Sequence, residues 1–297
     1  AVAVLVDHDV EVNLPVLRVN DTKIALGHLA HSWRRQFTLP VVGVTGSNGK
    51  TTVKEMIASI LGMSSRVLAT QGNLNNDIGV PQTLFDLDSQ HEYAVIEMGA
   101  SHLGEIEWLA EIAQPRIGVI TLCAPAHLEG FGTIDRVARA KSELYAALGD
   151  HGVAVINADD EFAPYWREVA KNCQRIQFGM RCLADVAAEK ITNHGLTKGM
   201  SFTLRMRFAA VEINLPFDGL HNVSNALAAA AVATALEIPI EMIKRGLENT
   251  AKVAGRLCVV EATSGARIID DTYNANPTSL AAAIDLLATE RREKWLV

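Results

Sequence analysis

Cysteine is scarce in this chain: four thiols, at positions 123, 173, 182 and 258, stand among 297 residues. No two form a Cys-x-x-Cys pair, and no cysteine–histidine spacing suggests a zinc site. A disulfide scaffold and a zinc module are therefore not expected. Cys123 and Cys258 lie in apolar runs and read as reduced core residues, which favours a cytoplasmic setting. Basic charge is also short, with 27 Lys and Arg against 34 acids and a net charge of −7. That balance argues against bulk electrostatic binding to nucleic acid or to an anionic membrane, and permits a local cationic pocket for a phosphate. No apolar run is long enough to span a bilayer; the most apolar stretch, 226–236, is short and alanine-rich. The N-terminus lacks the basic region of a signal peptide. Repeats and low-complexity linkers are absent as well. What remains is 49% apolar and 21% charged, the make-up of a folded chain of about two domains. Residues 1–6 read as a buried strand without its beginning, and 294–297 as a strand that stops short. The chain is expected to be the middle of a longer protein, because a strand needs neighbours for its backbone groups.

Short apolar runs at 41–45, 67–70, 93–98, 117–122 and 153–157 alternate with helical patterns, which predicts an α/β fold with a mostly parallel sheet covered on both faces. Residues 50–61 carry Val53, Met56, Ile57, Ile60 and Leu61 on one helical face, with Gly62 as a stop. Between 173 and 216 the pattern changes. Runs at 176–178, 202–208 and 211–215 predict a small antiparallel sheet, with turns near 194–195 and 209–210. Helices are expected at 224–236, 240–247 and 278–289, and a strand at 267–271.

The strongest motif is Val41-Val-Gly-Val-Thr-Gly-Ser-Asn-Gly-Lys-Thr-Thr52. A strand runs into a glycine loop, then Lys50-Thr51, then a helix. Such a loop turns backbone N–H groups toward phosphate oxygens, and the helix start adds partial positive charge. Lys50 would neutralise β- and γ-phosphates, and Thr51 would offer its hydroxyl to Mg²⁺. The loop is a tight variant, Gly46-x-x-Gly49-Lys50-Thr51, because Val44 occupies the place of the first glycine in the common pattern.

Glu97 ends the apolar run 93–97, and an acid at the carboxyl edge of a parallel sheet faces the crevice where ligands bind. It can hold a magnesium or orient a water; the alternative is a capping glutamate. His127 follows the run 117–122 and should lie near the same edge, yet imidazole is not the expected magnesium ligand. Lys141 falls within the apolar stripe Ile134, Val137, Ala138, Leu144, Tyr145 and Leu148. Lysine is almost never fully buried unless paired, and burial would lower its pKa; a snorkelling lysine is the alternative. Asn222 and Asn225, three apart at the start of an alanine-rich helix, can read a base or cap the helix. Arg256 is a candidate phosphate contact or a solvated arginine. Asp271 ends a strand, where it can bond a ribose or form an Asx turn.

These segments, in this order, resemble the Mur ligases, ATP-dependent peptide synthetases of bacterial cell-wall assembly. The resemblance runs from Val41 to Pro277. It includes Ala126-His-Leu-Glu-Gly-Phe-Gly132, Ala140-Lys-Ser-Glu-Leu144, Gly219-Leu-His-Asn-Val-Ser-Asn-Ala226 and Asp270-Asp-Thr-Tyr-Asn-Ala-Asn-Pro277. Within the family, Gly72-Asn-Leu-Asn-Asn-Asp-Ile-Gly-Val-Pro81 and Tyr273-Asn-Ala-Asn-Pro277 look most like the member that joins D-Ala-D-Ala to a UDP-N-acetylmuramoyl-tripeptide. A sister Mur ligase, a folylpolyglutamate-type ligase, a generic P-loop ATPase or a non-catalytic ATP-binding fragment are the alternatives. The resemblance implies three domains: residues 1–37 as the tail of a UDP-substrate domain, 38–264 as the ATPase, and 265–297 as the start of a Rossmann-like domain. It implies ATP and Mg²⁺, and an acyl-phosphate route to an amide. Gly46, Ser47, Asn48, Gly49, Lys50, Thr51, Thr52, Asn222, Asn225, Arg256 and Asp271 would serve ATP. Thr51, Glu97, His127 and a carbamylated Lys141 would hold metal. Asn73, Tyr273 and Asn274 would face the other substrates. A monomer in the cytoplasm, without nucleic acid or membrane insertion, completes the expectation.

Overall fold

The computed structural model describes residues 1–125, 128–263, 265–288 and 293–296. The first elements are β1 (Val4–Val6), β2 (Val16–Arg18) and α1 (Thr22–Arg34). Then come β3 (Val41–Thr45), α2 (Lys50–Leu61), β4 (Val67–Ala69), α3 (Gly79–Phe85), β5 (Tyr93–Glu97), α4 (Glu105–Ala113) and β6 (Ile117–Ile120). Next are α5 (Leu128–Phe131), α6 (Ile134–Ala146), β7 (Val153–Asn157), α7 (Ala163–Val169), β8 (Gln174–Gly179), β9 (Val186–Asn193), β10 (Met200–Arg205) and β11 (Ala210–Leu215). The chain continues through α8 (Leu220–Ala235), α9 (Ile240–Glu248), β12 (Cys258–Glu261), β13 (Arg267–Asp270) and α10 (Pro277–Ala288).

One nine-stranded sheet organises the molecule, in the order β11-β10-β9-β8-β7-β6-β3-β5-β4. From β4 to β9 every neighbouring pair is parallel, and β9, β10 and β11 pair antiparallel. The mostly parallel α/β architecture is as the sequence predicts. The antiparallel strands are a continuation of the same sheet, and a separate antiparallel pair, β12–β13, follows it. The run 176–178, expected to be antiparallel, lies in β8 and is parallel to both neighbours. The connection through α7 explains this, because a strand–helix–strand crossover returns the chain in its original direction. Strand β9 escaped the sequence reading; its second half is largely exposed and lacks a continuous apolar run.

Two further expectations fail at the ends. The strand within residues 1–6 is half-buried rather than core, and among the described residues it pairs only with β2. Residues 294–296 form no strand, and Trp295 is exposed; Val297 lies outside the described residues. Cys123 and Cys258 are half-buried free thiols rather than core residues.

Helix α2 is where sequence and structure agree residue for residue. Val53, Met56, Ile57, Ile60 and Leu61 are each at most 1% exposed, and full burial of such a side chain contributes about 1.5–3 kcal/mol. The helix packs on α8 and α9 behind the sheet. Gly246 permits the approach of α9: a Cβ there would lie 2.3 Å from Ile60 Cα. The start of α2, which follows β3, is thereby held rigidly at the carboxyl edge of the sheet, where crevices of this architecture lie.

Candidate active site

The loop between β3 and α2 is clamped into one shape. Gly46 has φ +147°, and a Cβ there would lie 1.9 Å from Thr121 Oγ1. Gly49 has φ +81°, and a Cβ would lie 2.4 Å from Asn225 Oδ1. Both glycines therefore serve conformation and close packing at once. Ser47 N–H donates to Leu122 O at 2.9 Å, and Thr121 Oγ1 donates to Asn48 O at 2.5 Å. The Ser47 hydroxyl donates to Ala124 O and accepts from Ala124 N–H, so it holds the loop to the segment after β6. Helix α2 has no side-chain cap. Its first N–H groups have no partner within the helix, and with the helix dipole they form a seat for an anion.

Lys50 Nζ donates to Gly46 O at 3.0 Å and reaches Ser47 O at 3.5 Å. Burial lowers its pKa; Glu97 opposes that shift and Arg256 adds to it. Thr51 is buried and Thr52 half-buried in the first turn of α2. Glu97, at the end of β5, is 2% exposed. Its N–H donates to Thr70 Oγ1, and its Oε1 accepts from Asn75 Nδ2 at 2.8 Å. Among the described residues its buried Oε2 has no hydrogen-bond partner. A buried carboxylate oxygen without a partner is costly unless a cation or donor meets it.

Lys141 lies on the inner face of α6 and is 2% exposed, as the apolar stripe predicts. Among the described residues it makes no hydrogen bond or ion pair; its Nζ lies 5.7 Å from the centre of the Phe131 ring. Burial, and then the charge of Lys50, push its pKa down to about 7. A neutral amine is thereby available near neutral pH. His127 lies outside the described residues.

A cleft of about 990 Å³ opens beside the loop, lined by Lys50, Glu97, Asn73, Arg256, Tyr273 and Asn274 among others. A smaller cavity of about 180 Å³ lies between residues 47–50 and Arg256 with residues 274–276. Lys50 and Arg256 line both. The Arg256 guanidinium stacks 3.9 Å over the Tyr273 ring, and its buried Nε has no hydrogen-bond partner among the described residues. Asp271 accepts from Leu257 N–H at 3.3 Å, and burial raises its pKa against the pull of Arg256.

Asn222 and Asn225 are buried at the start of α8, and neither lines these cavities. Asn222 Nδ2 contacts both Asp218 O and His221 Nε2, while its Oδ1 accepts from Asn225 Nδ2. Its amide is thus engaged within the protein, and Asn225 packs against the loop between β3 and α2. Thr51, Thr52, Asp271 and Lys141 also line neither cavity. Sequence reasoning missed Asn75, Thr121 and Asn276. Asn75 and Asn276 stand inside quoted motifs, but several asparagines there looked alike until the fold showed which one faced a partner.

Residues 44–233 match the Mur ligase middle domain. The UDP-N-acetylmuramoyl-tripeptide–D-alanyl-D-alanine ligase of Escherichia coli K12 is 42% identical over 287 residues, covering 96% of this chain and 63% of the relative. The enzyme of that name from Haemophilus influenzae is 45% identical over 280 residues, covering 93% of this chain and 60% of the relative. Among solved structures, MurF from Acinetobacter baumannii has a TM-score of 0.92 at 42% identity, covering 97% of this chain and 62% of that one. MurF ligase from Thermotoga maritima, in complex with ADP, has a TM-score of 0.84 at 28% identity, covering 97% and 66%. The chain spans about three-fifths of the length of the curated relatives it matches. More than half of its residues fall in the matched middle domain, and on that ground the chain belongs to the Mur ligase family.

Proposed function

We propose that the protein from which this chain comes is an ATP-dependent amide ligase that joins D-Ala-D-Ala to UDP-N-acetylmuramoyl-tripeptide through an acyl phosphate. The observation that carries this reading is the opening of the Lys50 loop onto a cleft walled by Glu97, within a chain 42% identical to an enzyme bearing that name. We read residues 38–264 as the ATPase unit, flanked by the tail of one substrate domain and the start of another. We also read the protein as a cytoplasmic monomer with no nucleic-acid partner. No helix among the described residues is long and apolar enough to cross a membrane.

A divalent cation is supported by Glu97 Oε2, which is buried and without a hydrogen-bond partner among the described residues; Thr51 stands in the first turn of α2. Lys141 would join them as its carbamate, with His127 completing the set. Mg²⁺ bound there would draw charge from the phosphate oxygens. Lys50 and the N–H groups of the loop would hold the β- and γ-phosphates and stabilise charge as it develops. The terminal carboxylate of the tripeptide, in the cleft beside Asn73, attacks the γ-phosphorus and ADP leaves. The amine of D-Ala-D-Ala then attacks the acyl carbon, and the tetrahedral intermediate expels phosphate. Arg256 and Tyr273 would close the nucleotide side and keep water from the acyl phosphate. The unpartnered Nε of Arg256 and its place on both cavities support this role.

The test is phosphate release from Mg·ATP by this chain and by its full-length parent, omitting each substrate in turn. Release by the parent only when both acceptors are present is expected. Release with neither acceptor would mark a generic ATPase, and release with another acyl–amine pair would mark a sister ligase.

A further inference from the structure

We propose that Asn276 is a positioning residue for nucleotide binding, keying the segment before α10 to the phosphate loop through a reciprocal amide pair with Asn48. The inference rests on the ATP-binding reading above. Asn48 Nδ2 donates to Asn276 Oδ1 at 3.2 Å, and Asn276 Nδ2 donates to Asn48 Oδ1 at 2.6 Å. Each side chain is donor and acceptor to the other. An amide supplies both roles at this geometry, whereas a carboxylate cannot donate. The two residues are 228 positions apart, so the pair is a tertiary joint rather than a local turn.

Both partners are tied to other parts of the site. Asn48 O accepts from Thr121 Oγ1, which holds the loop from the side of the sheet. Asn276 also opens α10: its Oδ1 accepts from Ser279 N–H at 2.9 Å, and its own N–H donates to Ser279 Oγ at 3.0 Å. The side chain that starts α10 is therefore the one that grips the phosphate loop. Three residues earlier, Tyr273 carries the Arg256 guanidinium on its ring, and Tyr273 N–H donates to Gly255 O. The 180 Å³ cavity has Ser47, Asn48, Gly49 and Lys50 on one wall, with Arg256 and residues 274–276 on the other. The amide pair joins these walls. Phosphate groups seated on the loop meet Arg256 only while the second wall is in place, so the pair raises the fraction of molecules ready to bind. Apparent affinity scales with that fraction.

The experiment is calorimetric titration of this chain with Mg·ADP and with a non-hydrolysable Mg·ATP analogue. It compares wild type, Asn48→Ala, Asn276→Ser and the double variant, with thermal unfolding run on each. Serine starts a helix as well as asparagine does, so Asn276→Ser keeps the α10 cap and removes the reciprocal pair. Each single variant is expected to bind about tenfold more weakly, the worth of one or two hydrogen bonds, and the double variant no more weakly than the worse single. Amide hydrogen exchange at 272–276 should slow on nucleotide addition in the wild type and much less in the variants. Wild-type affinity in a folded Asn276→Ser chain would overturn the proposal, as would losses that add in the double variant. If Asn276→Ser unfolds, the affinity of Asn48→Ala and its exchange at 272–276 decide instead. A wild-type chain that binds neither nucleotide would remove the ATP reading, and the proposal with it.

Discussion

Two lysines are buried near the same site, and their surroundings differ. Lys54, on α2, is 1% exposed and donates to Thr70 O at 2.6 Å and to Glu55 Oε1 at 2.5 Å. Lys141, on α6, is 2% exposed and has neither bond nor ion pair among the described residues. The first is a tie. It holds the end of β4, where Thr70 Oγ1 in turn accepts the N–H of Glu97. The second is a buried amine whose solvation has been removed without replacement. Burial is thus shared by both residues; Lys141 differs in having no partner among the described residues, which makes it a candidate for chemistry.

The largest effect that would sharpen this contrast is on turnover. If the full-length protein is the ligase proposed above, Lys141→Ala should lower its kcat by about 100-fold or more, the scale of losing one charge-stabilising group. Short-chain carboxylates should restore part of the rate. Lys54→Met should leave kcat within about tenfold. Equal losses from the two substitutions would break the comparison.

Stability should rank them the other way. Lys54→Met strands a buried carbonyl and removes two hydrogen bonds, a loss of about 2–3 kcal/mol in denaturant unfolding. Lys141→Met removes an unpaired buried amine and should cost little or raise stability.

A pH series gives a smaller effect. The folded pKa of Lys141 is about 7, against an ordinary value of 10.5. Between those values the unfolded chain holds more protons than the folded one. Stability therefore rises with pH across that window, by at most about 1.4 kcal/mol per pH unit. In carbon dioxide-free buffer this slope should appear between pH 7 and 9 and should be absent in Lys141→Met.

The smallest effect concerns the neighbour that anchors α6. Glu143 accepts the N–H of Gly104 at 2.8 Å and of Glu107 at 3.2 Å, capping α4, which has no side-chain cap from its own N-cap residue. Glu143→Gln should cost about 0.5–1 kcal/mol in the same unfolding assay. No measurable loss would mean that α4 needs no cap from α6.

Much of the fold was legible where local and tertiary demands coincide. The bounds of β3, α2 and β7 follow from apolar runs and glycine stops, because these elements are buried on the faces that the pattern marks. Strand β9 was not legible, since a strand running to an exposed end lacks the continuous apolar signal. The parallel pairing of β8 was misread because pairing direction is set by the connection before a strand and by its neighbours. At the site, the glycines, Lys50, Glu97 and Lys141 stood out by spacing or by misplaced polarity. Thr121, Asn75 and Asn276 did not, because a threonine or one asparagine among several carries no local signature of its partner.

The amino-acid sequence by itself determined the glycine loop between β3 and α2, the acid at the end of β5 and the lysine inside an apolar stripe, because each is a contrast between neighbouring residues. Only the tertiary structure decided which polar groups meet. It gave Lys54 its partners, buried Lys141 beside the Phe131 ring, bound the amide of Asn222 within the protein and brought Asn276 to Asn48. Hydrogen bonds act over about 3 Å, and the fold alone brings residues that are distant along the chain within that reach.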